Sequence, residues 1–207
     1  STGLVGSEMC IRDRPQARKT ASNVSRRTDL RRLMNRFSGM LQAFVGMLVL
    51  LALDQFSKIW VRETIPLYEM TPLVPNFLDL THVQNRGVSF SFLADLEDPI
   101  RIPLLVGVSL VAVVGMIYYL IRYRETLDLY TRLGLLFIIP GAVGNLIDRA
   151  WFGQVTDFIH FRWYDFSFFI NNIADCLISI GVVGFFITLI RERKQKQLQE
   201  SDTSVSS

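Results

Sequence analysis

Four stretches, residues 37–60, 102–121, 129–147 and 168–190, are long and apolar enough to cross a bilayer, given the ~20 residues that ~30 Å of hydrocarbon requires. No other feature constrains the chain as much. Inside a membrane every backbone N–H and C=O needs an internal partner, and runs of this length meet that need as helices, not as barrel strands. Each run contains glycine, as spanning helices often do. The expected fold is an all-α membrane protein: four transmembrane helices, with a small extracytoplasmic β-rich platform between the first and second. Half of the 207 residues are hydrophobic, which fits one compact membrane domain.

Charge placement orients the bundle. Nine Lys/Arg precede the first span, three flank the connection between the second and third, and four follow the last, leaving six of the 22 for the other face. Positive residues stay cytoplasmic, so both termini are expected inside. A basic patch can also attract nucleic acid, but beside membrane spans the topological reading takes precedence, and we expect no nucleic-acid partner. Cys10 lies in the basic tail and Cys176 near the outer end of the last span, on opposite sides, so no disulfide is expected. The first apolar run is of full spanning length with no small-residue cleavage site after it, so it is expected to be an uncleaved anchor.

The organisation then reads as a basic tail over 1–36, a membrane domain over 37–192 and a polar cytoplasmic tail over 193–207. Residues 1–14 differ in character from the rest of the chain and resemble translated adaptor sequence; residues 15–36 are expected to be disordered or to lie on the membrane surface. Between the first two spans, Pro66, Pro72 and Pro75 break the chain, and Phe77–Val83 alternates like a short strand. His82 in that strand reads as structural. The second span looks purely structural. The stretch after the third, residues 150–167, is rich in Trp, Phe and Tyr and reads as an outer loop of interfacial aromatics.

Polar residues gather where spans one, three and four reach the outer face. Asp54 and Lys58 are four apart and share a helix face; they are either a paired site element or a snorkelling Lys with a neutralising Asp beside Trp60. Asn145, Asp148 and Arg149 recur at helical spacing at the end of span three. Asp157 falls in the aromatic loop, where low polarity would raise its pKa. Asn172 and Asp175 share a face near the start of span four, with Asp175 expected roughly 8–10 Å below its mouth at ~1.5 Å per residue. The inner ends carry only solvated basic residues, and a purely structural cause would not favour one face so strongly. Carboxylates near a membrane segment are costly and point to function. Two that meet away from water can hold one proton between them, one partner activating a water and the other protonating a scissile amide. No HExxH, glycine-rich phosphate loop or nucleophile–His arrangement competes.

The blocks LDQFSK, NRGVSFSFL, GAVGNLIDR, VTDFI and NNIAD, in this order across four spans, resemble the bacterial lipoprotein signal peptidases (signal peptidase II). The likeness covers about residues 38–192. It implies an aspartyl endopeptidase without metal or other cofactor, whose dyad is Asp157 and Asp175, supported by Asp54, Lys58, Asn85, Asn145, Asp148, Arg149 and Asn172. It also implies cleavage of diacylglyceryl-modified prolipoproteins just before the lipidated Cys, at the outer leaflet of the inner membrane. Partners would be those substrates and membrane lipids, with the chain itself a monomer. Three departures from the family pattern are Val88 for Ala, Cys176 for Ser and the doubled asparagine at Asn171; none removes a dyad residue.

Overall fold

The computed structural model of the protein describes the backbone of residues 14–87 and 97–205, and the side chains of Met34 and of residues 38–87 and 97–201. Cys10, Val88 and the SFSFL run lie outside the described residues. The elements in chain order are α1 (Arg14–Thr64), β1 (Met70–Val74), β2 (Leu78–Asn85), α2 (Asp98–Tyr123), α3 (Leu129–Phe152), β3 (Val155–Trp163), β4 (Phe166–Asn171) and α4 (Ile173–Val205). The chain divides into two units, residues 1–45 and 46–207. The described part of the first is the N-terminal stretch of α1; the rest of α1, the sheet and the other helices belong to the second.

Each helix contains a stretch long and apolar enough to cross a membrane, with Ser38–Thr64 the spanning part of α1. Their outward faces remain exposed, from Phe44, Val49 and Phe56 on α1 to Val111 and Ile121 on α2 and Phe186 and Ile190 on α4. Inside a bilayer such faces need no protein partner, which is what allows so apolar a chain so small an interior. That interior is centred on α3, the most buried of the four spans. Its start is fixed by Asp128, which accepts hydrogen bonds from the Tyr130 and Thr131 backbone N–H groups, and its end by Gly153 at φ 70°, whose N–H returns to the Arg149 carbonyl.

The α3–α4 contact is a close backbone approach. A Cβ added to Gly141 would lie 2.5 Å from the Ala174 carbonyl oxygen, and one added to Gly181 would lie 2.5 Å from that of Gly134. Small residues at such crossings let dispersion contacts replace the hydrophobic drive that a bilayer withholds.

The sheet is antiparallel with strand order β1-β2-β3-β4. It is larger than the platform expected from residues 62–99, because β3 and β4 supply half of it. Residues 155–171, expected to be outer loop and the start of span four, are a hairpin. Trp163 pairs with Phe166 across a two-residue turn, and Tyr164 takes a left-handed backbone at φ 51°. Aromatic and β-branched residues suit a pleated surface as well as a membrane belt, so composition alone does not separate the two. Asp157 therefore stands on a strand opposite Val83 of β2, not on a loop. Three helix boundaries differ in the same way: α3 continues to Phe152, α4 begins at Ile173 instead of residue 168, and residues 14–36, expected as a tail, are helical within α1.

Candidate active site

The start of α4 is built by a reciprocal cap. The Asn172 side-chain oxygen accepts from the Asp175 N–H at 3.0 Å, and the Asp175 carboxylate accepts from the Asn172 N–H at 3.4 Å. Residues at N-cap and N3 thus satisfy each other's orphan donors. Asp54 of α1 takes a third, accepting from the Ala174 N–H at 2.8 Å. Asp175 consequently sits in the first turn of α4, where the helix dipole favours a negative charge, and not the roughly 8–10 Å below the mouth expected from a span beginning at residue 168.

Asp54 and Asp148 are fully buried carboxylates made tolerable by the equally buried Lys58. Its ammonium lies 2.9 Å from Asp54 and 3.2 Å from Asp148, and it donates to Asn145 Oδ1 at 3.0 Å. An isolated buried ion would cost several kcal/mol; here one cation joins α1 to α3 and meets two carboxylates and an amide. Gln55 adds hydrogen bonds to Asp54 and to the Gly144 carbonyl. Residue 144 admits no side chain, because a Cβ there would run into Asp54 Oδ2.

Above this ionic base lie Asp157 and Asp175, joined through two asparagines. The Asn172 amide donates to Asp157 at 2.6 Å and to Asn145 Oδ1 at 3.3 Å; the Asn145 amide donates to Asp175 at 2.8 Å. Asn85 of β2 donates to the other oxygen of Asp157 at 3.0 Å. Burial pushes the Asp157 carboxyl up to about 6; the Asn85 hydrogen bond draws it back, the charge of Asp175 raises it again, and Asn172 and Lys58 oppose that rise. Arg149 is within electrostatic reach of Asp175, Asp157 and Asp148 and donates to the Gly87 carbonyl at 3.1 Å.

All nine site residues expected from the sequence therefore meet in one cluster, drawn from α1, β2, α3, β3, α4 and the Asn172 cap that precedes α4. Among the described residues no group of three His, Cys, Asp or Glu side chains is arranged to hold a metal ion. Chain comparison decides the family: a family model described as Signal peptidase (SPase) II matches residues 46–191. The chain belongs to the signal peptidase II family. It is 38% identical over 148 residues to a protein named lipoprotein signal peptidase of Streptococcus pneumoniae, covering 72% of this chain and 92% of that one. A lipoprotein signal peptidase of Syntrophotalea carbinolica is 37% identical over 134 residues, covering 65% of this chain and 81% of the relative. Two solved structures titled as bacterial membrane enzymes, determined by the in meso method, share the fold. One has a TM-score of 0.67 at 25% identity, covering 75% of this chain and 91% of its own. The other has 0.63 at 26%, covering 72% and 92%.

The family membership leaves several contacts that sequence reasoning missed. Arg62 lies on α1 one turn beyond Lys58 and donates to Thr156 Oγ1 at 3.0 Å; the i, i+4 spacing from Lys58 was the available signal. Arg101, near the start of the span that looked purely structural, is almost completely buried. It bonds Asp98, the Gly153 carbonyl and the Arg86 carbonyl. On β2 and β3, Arg162 grips Asp79 through two hydrogen bonds, with His160 beside it. His82, read as structural, holds the Ile65 carbonyl at 2.8 Å.

Proposed function

We propose that this chain is a membrane aspartyl endopeptidase that removes signal peptides from diacylglyceryl-modified prolipoproteins, cutting just before the lipidated Cys. Asp157 and Asp175 form the dyad. The observation that carries the reading is the pair itself: two carboxyls from different elements, bridged by Asn172 and Asn145, in a chain whose family is signal peptidase II.

The charge balance of the cluster favours one proton on the pair. Asp54, Asp148, Asp157 and Asp175 face Lys58, Arg62 and Arg149, so full ionisation would leave one net negative charge in a poorly solvated place. The displacement of Asp157 to about 6 runs in the same direction, and a covering substrate would exclude more water and extend it.

The ionised carboxylate takes a proton from water as its oxygen attacks the scissile carbonyl carbon. The protonated partner hydrogen-bonds the carbonyl oxygen as charge develops and then delivers its proton to the departing amide nitrogen, so the C–N bond breaks without a covalent enzyme intermediate. Asn85, Asn172 and Asn145 hold the two carboxyls in place. Orientation follows the charge asymmetry: termini in the cytoplasm, dyad at the extracytoplasmic end of the bundle, substrate signal helix and lipid approaching from the bilayer.

The test is cleavage of a diacylglyceryl-modified prolipoprotein by detergent-purified protein. Wild type is expected to cut before the lipidated Cys, with or without chelator, and Asp157→Asn and Asp175→Asn to remain folded and inactive. Near-normal cleavage by either variant would remove that residue from the dyad.

A further inference from the structure

The contacts around Thr156, the residue before Asp157, assign a role to a side chain outside the five sequence blocks, a role that rests on the peptidase reading above. The strand that carries Asp157 is held to α3 and α1 through Thr156 from two sides. Asp148 of α3 accepts from the Thr156 backbone N–H at 3.3 Å. Arg62 of α1 donates to the Thr156 hydroxyl at 3.0 Å, lies 3.6 Å from the other oxygen of Asp148, and places its guanidinium 4.4 Å from the Phe152 ring centroid, near the end of α3.

We propose that Arg62 is a positioning residue for Asp157. It pins the start of β3 to α1 and α3, and it shares the counter-charging of Asp148 with Lys58. Nη1 alone both donates to Thr156 and faces Asp148, while the flat guanidinium lies over the Phe152 ring, a stacking face that a lysine ammonium lacks. The hydroxyl of Thr156 has a directional role here. Of the groups facing Asp157, Asn85 comes from β2, Asn172 immediately precedes α4, Lys58 comes from α1, Arg149 from α3 and Asp175 from α4. Those facing Asp175 are Asn145 and Arg149 from α3, Lys58, Asn172 and Asp157 of β3. Arg62 touches neither carboxyl; it acts through Asp148 and Thr156.

The experiment compares wild type, Arg62→Gln, Arg62→Lys, Thr156→Val and the Arg62→Gln/Thr156→Val double variant, as full chains in detergent, for kcat, KM and pH profile on a diacylglyceryl-modified prolipoprotein. Misplacing a reacting group by about 1 Å can cost about 100-fold, so Arg62→Gln should lower kcat roughly 10- to 100-fold with KM little changed. Losing a nearby cation should move the acidic limb of the profile upward by on the order of one pH unit. Arg62→Lys keeps the charge, so it should hold the limb in place while recovering part of kcat. Thr156→Val should lose kcat too, and the double variant should lose less than the two single losses combined. Wild-type kcat in Arg62→Gln or in Thr156→Val overturns the role, as do simply additive losses with an unmoved limb. A folded wild type that leaves the substrate intact overturns the peptidase reading itself, and this role with it.

Discussion

The carboxyl of Asp157 is a cost the fold carries for its position. Its displacement from 3.8 to about 6 means the folded chain holds a proton there over a pH range in which the unfolded chain has released it. The native state then binds more protons than the unfolded state, so stability falls as pH rises from about 4 to about 6 and is level above that. The full displacement corresponds to about 3 kcal/mol. Asp157→Asn should abolish this dependence, and comparing the pH slopes of detergent unfolding for the two proteins checks it; equal slopes would contradict the assignment. At the same scale, Gly144→Ala drives a methyl into Asp54, which is held by Lys58 and the Ala174 N–H. A loss of roughly 1–3 kcal/mol is expected from overpacking a site that cannot give way, visible as a lower melting temperature together with lost activity.

Among the elements, α3 and α4 depend most on closeness. Gly181→Ala should destabilise, because its methyl would meet Ile138 and the Gly134 carbonyl, whereas Gly107→Ala on α2 meets nothing within 4 Å and should be neutral or slightly stabilising. Thermal unfolding of the two variants side by side distinguishes a helix-crossing requirement from a general intolerance of alanine. The four helices were legible from the apolar runs, since bilayer thickness sets their length; the strands β3 and β4 were not. Element boundaries were not. The hairpin of residues 155–171 is written in the same aromatic residues that line membrane interfaces, and Asn172–Asp175 reads equally as the interior of a span or as a capping box until the strand before it is known. The cluster itself was legible because helical spacing and alternating span direction suffice to bring Asp54, Lys58, Asn145, Asp148 and Asp175 to one end. Arg62 was not, because its value depends on Thr156 lying opposite it, which only the sheet determines.

At the largest scale, the apolar helix faces and the buried polar cluster belong together. Spans that cross a bilayer can hold costly carboxylates only where protein groups surround them, and here that place is where β3 meets α1, α3 and the start of α4. The proposed orientation, with the termini in the cytoplasm, predicts that alkaline phosphatase fused after residue 201 is inactive in cells, while a fluorescent protein at the same point is bright; the reverse pattern would invert the bundle.

The bond from the Ala174 N–H to Asp54 spans 120 positions of sequence. A ribosome delivers the first helix to the membrane long before the last, so Asp54 and Lys58 wait beside one another until α4 arrives to complete the cluster. Only then does Asp175 gain its place next to Asp157. A nascent chain that has yet to make α4 holds Asp54, Lys58 and Asn145 but neither the Ala174 N–H nor Asp175, so the polar cluster stays open until that helix is present.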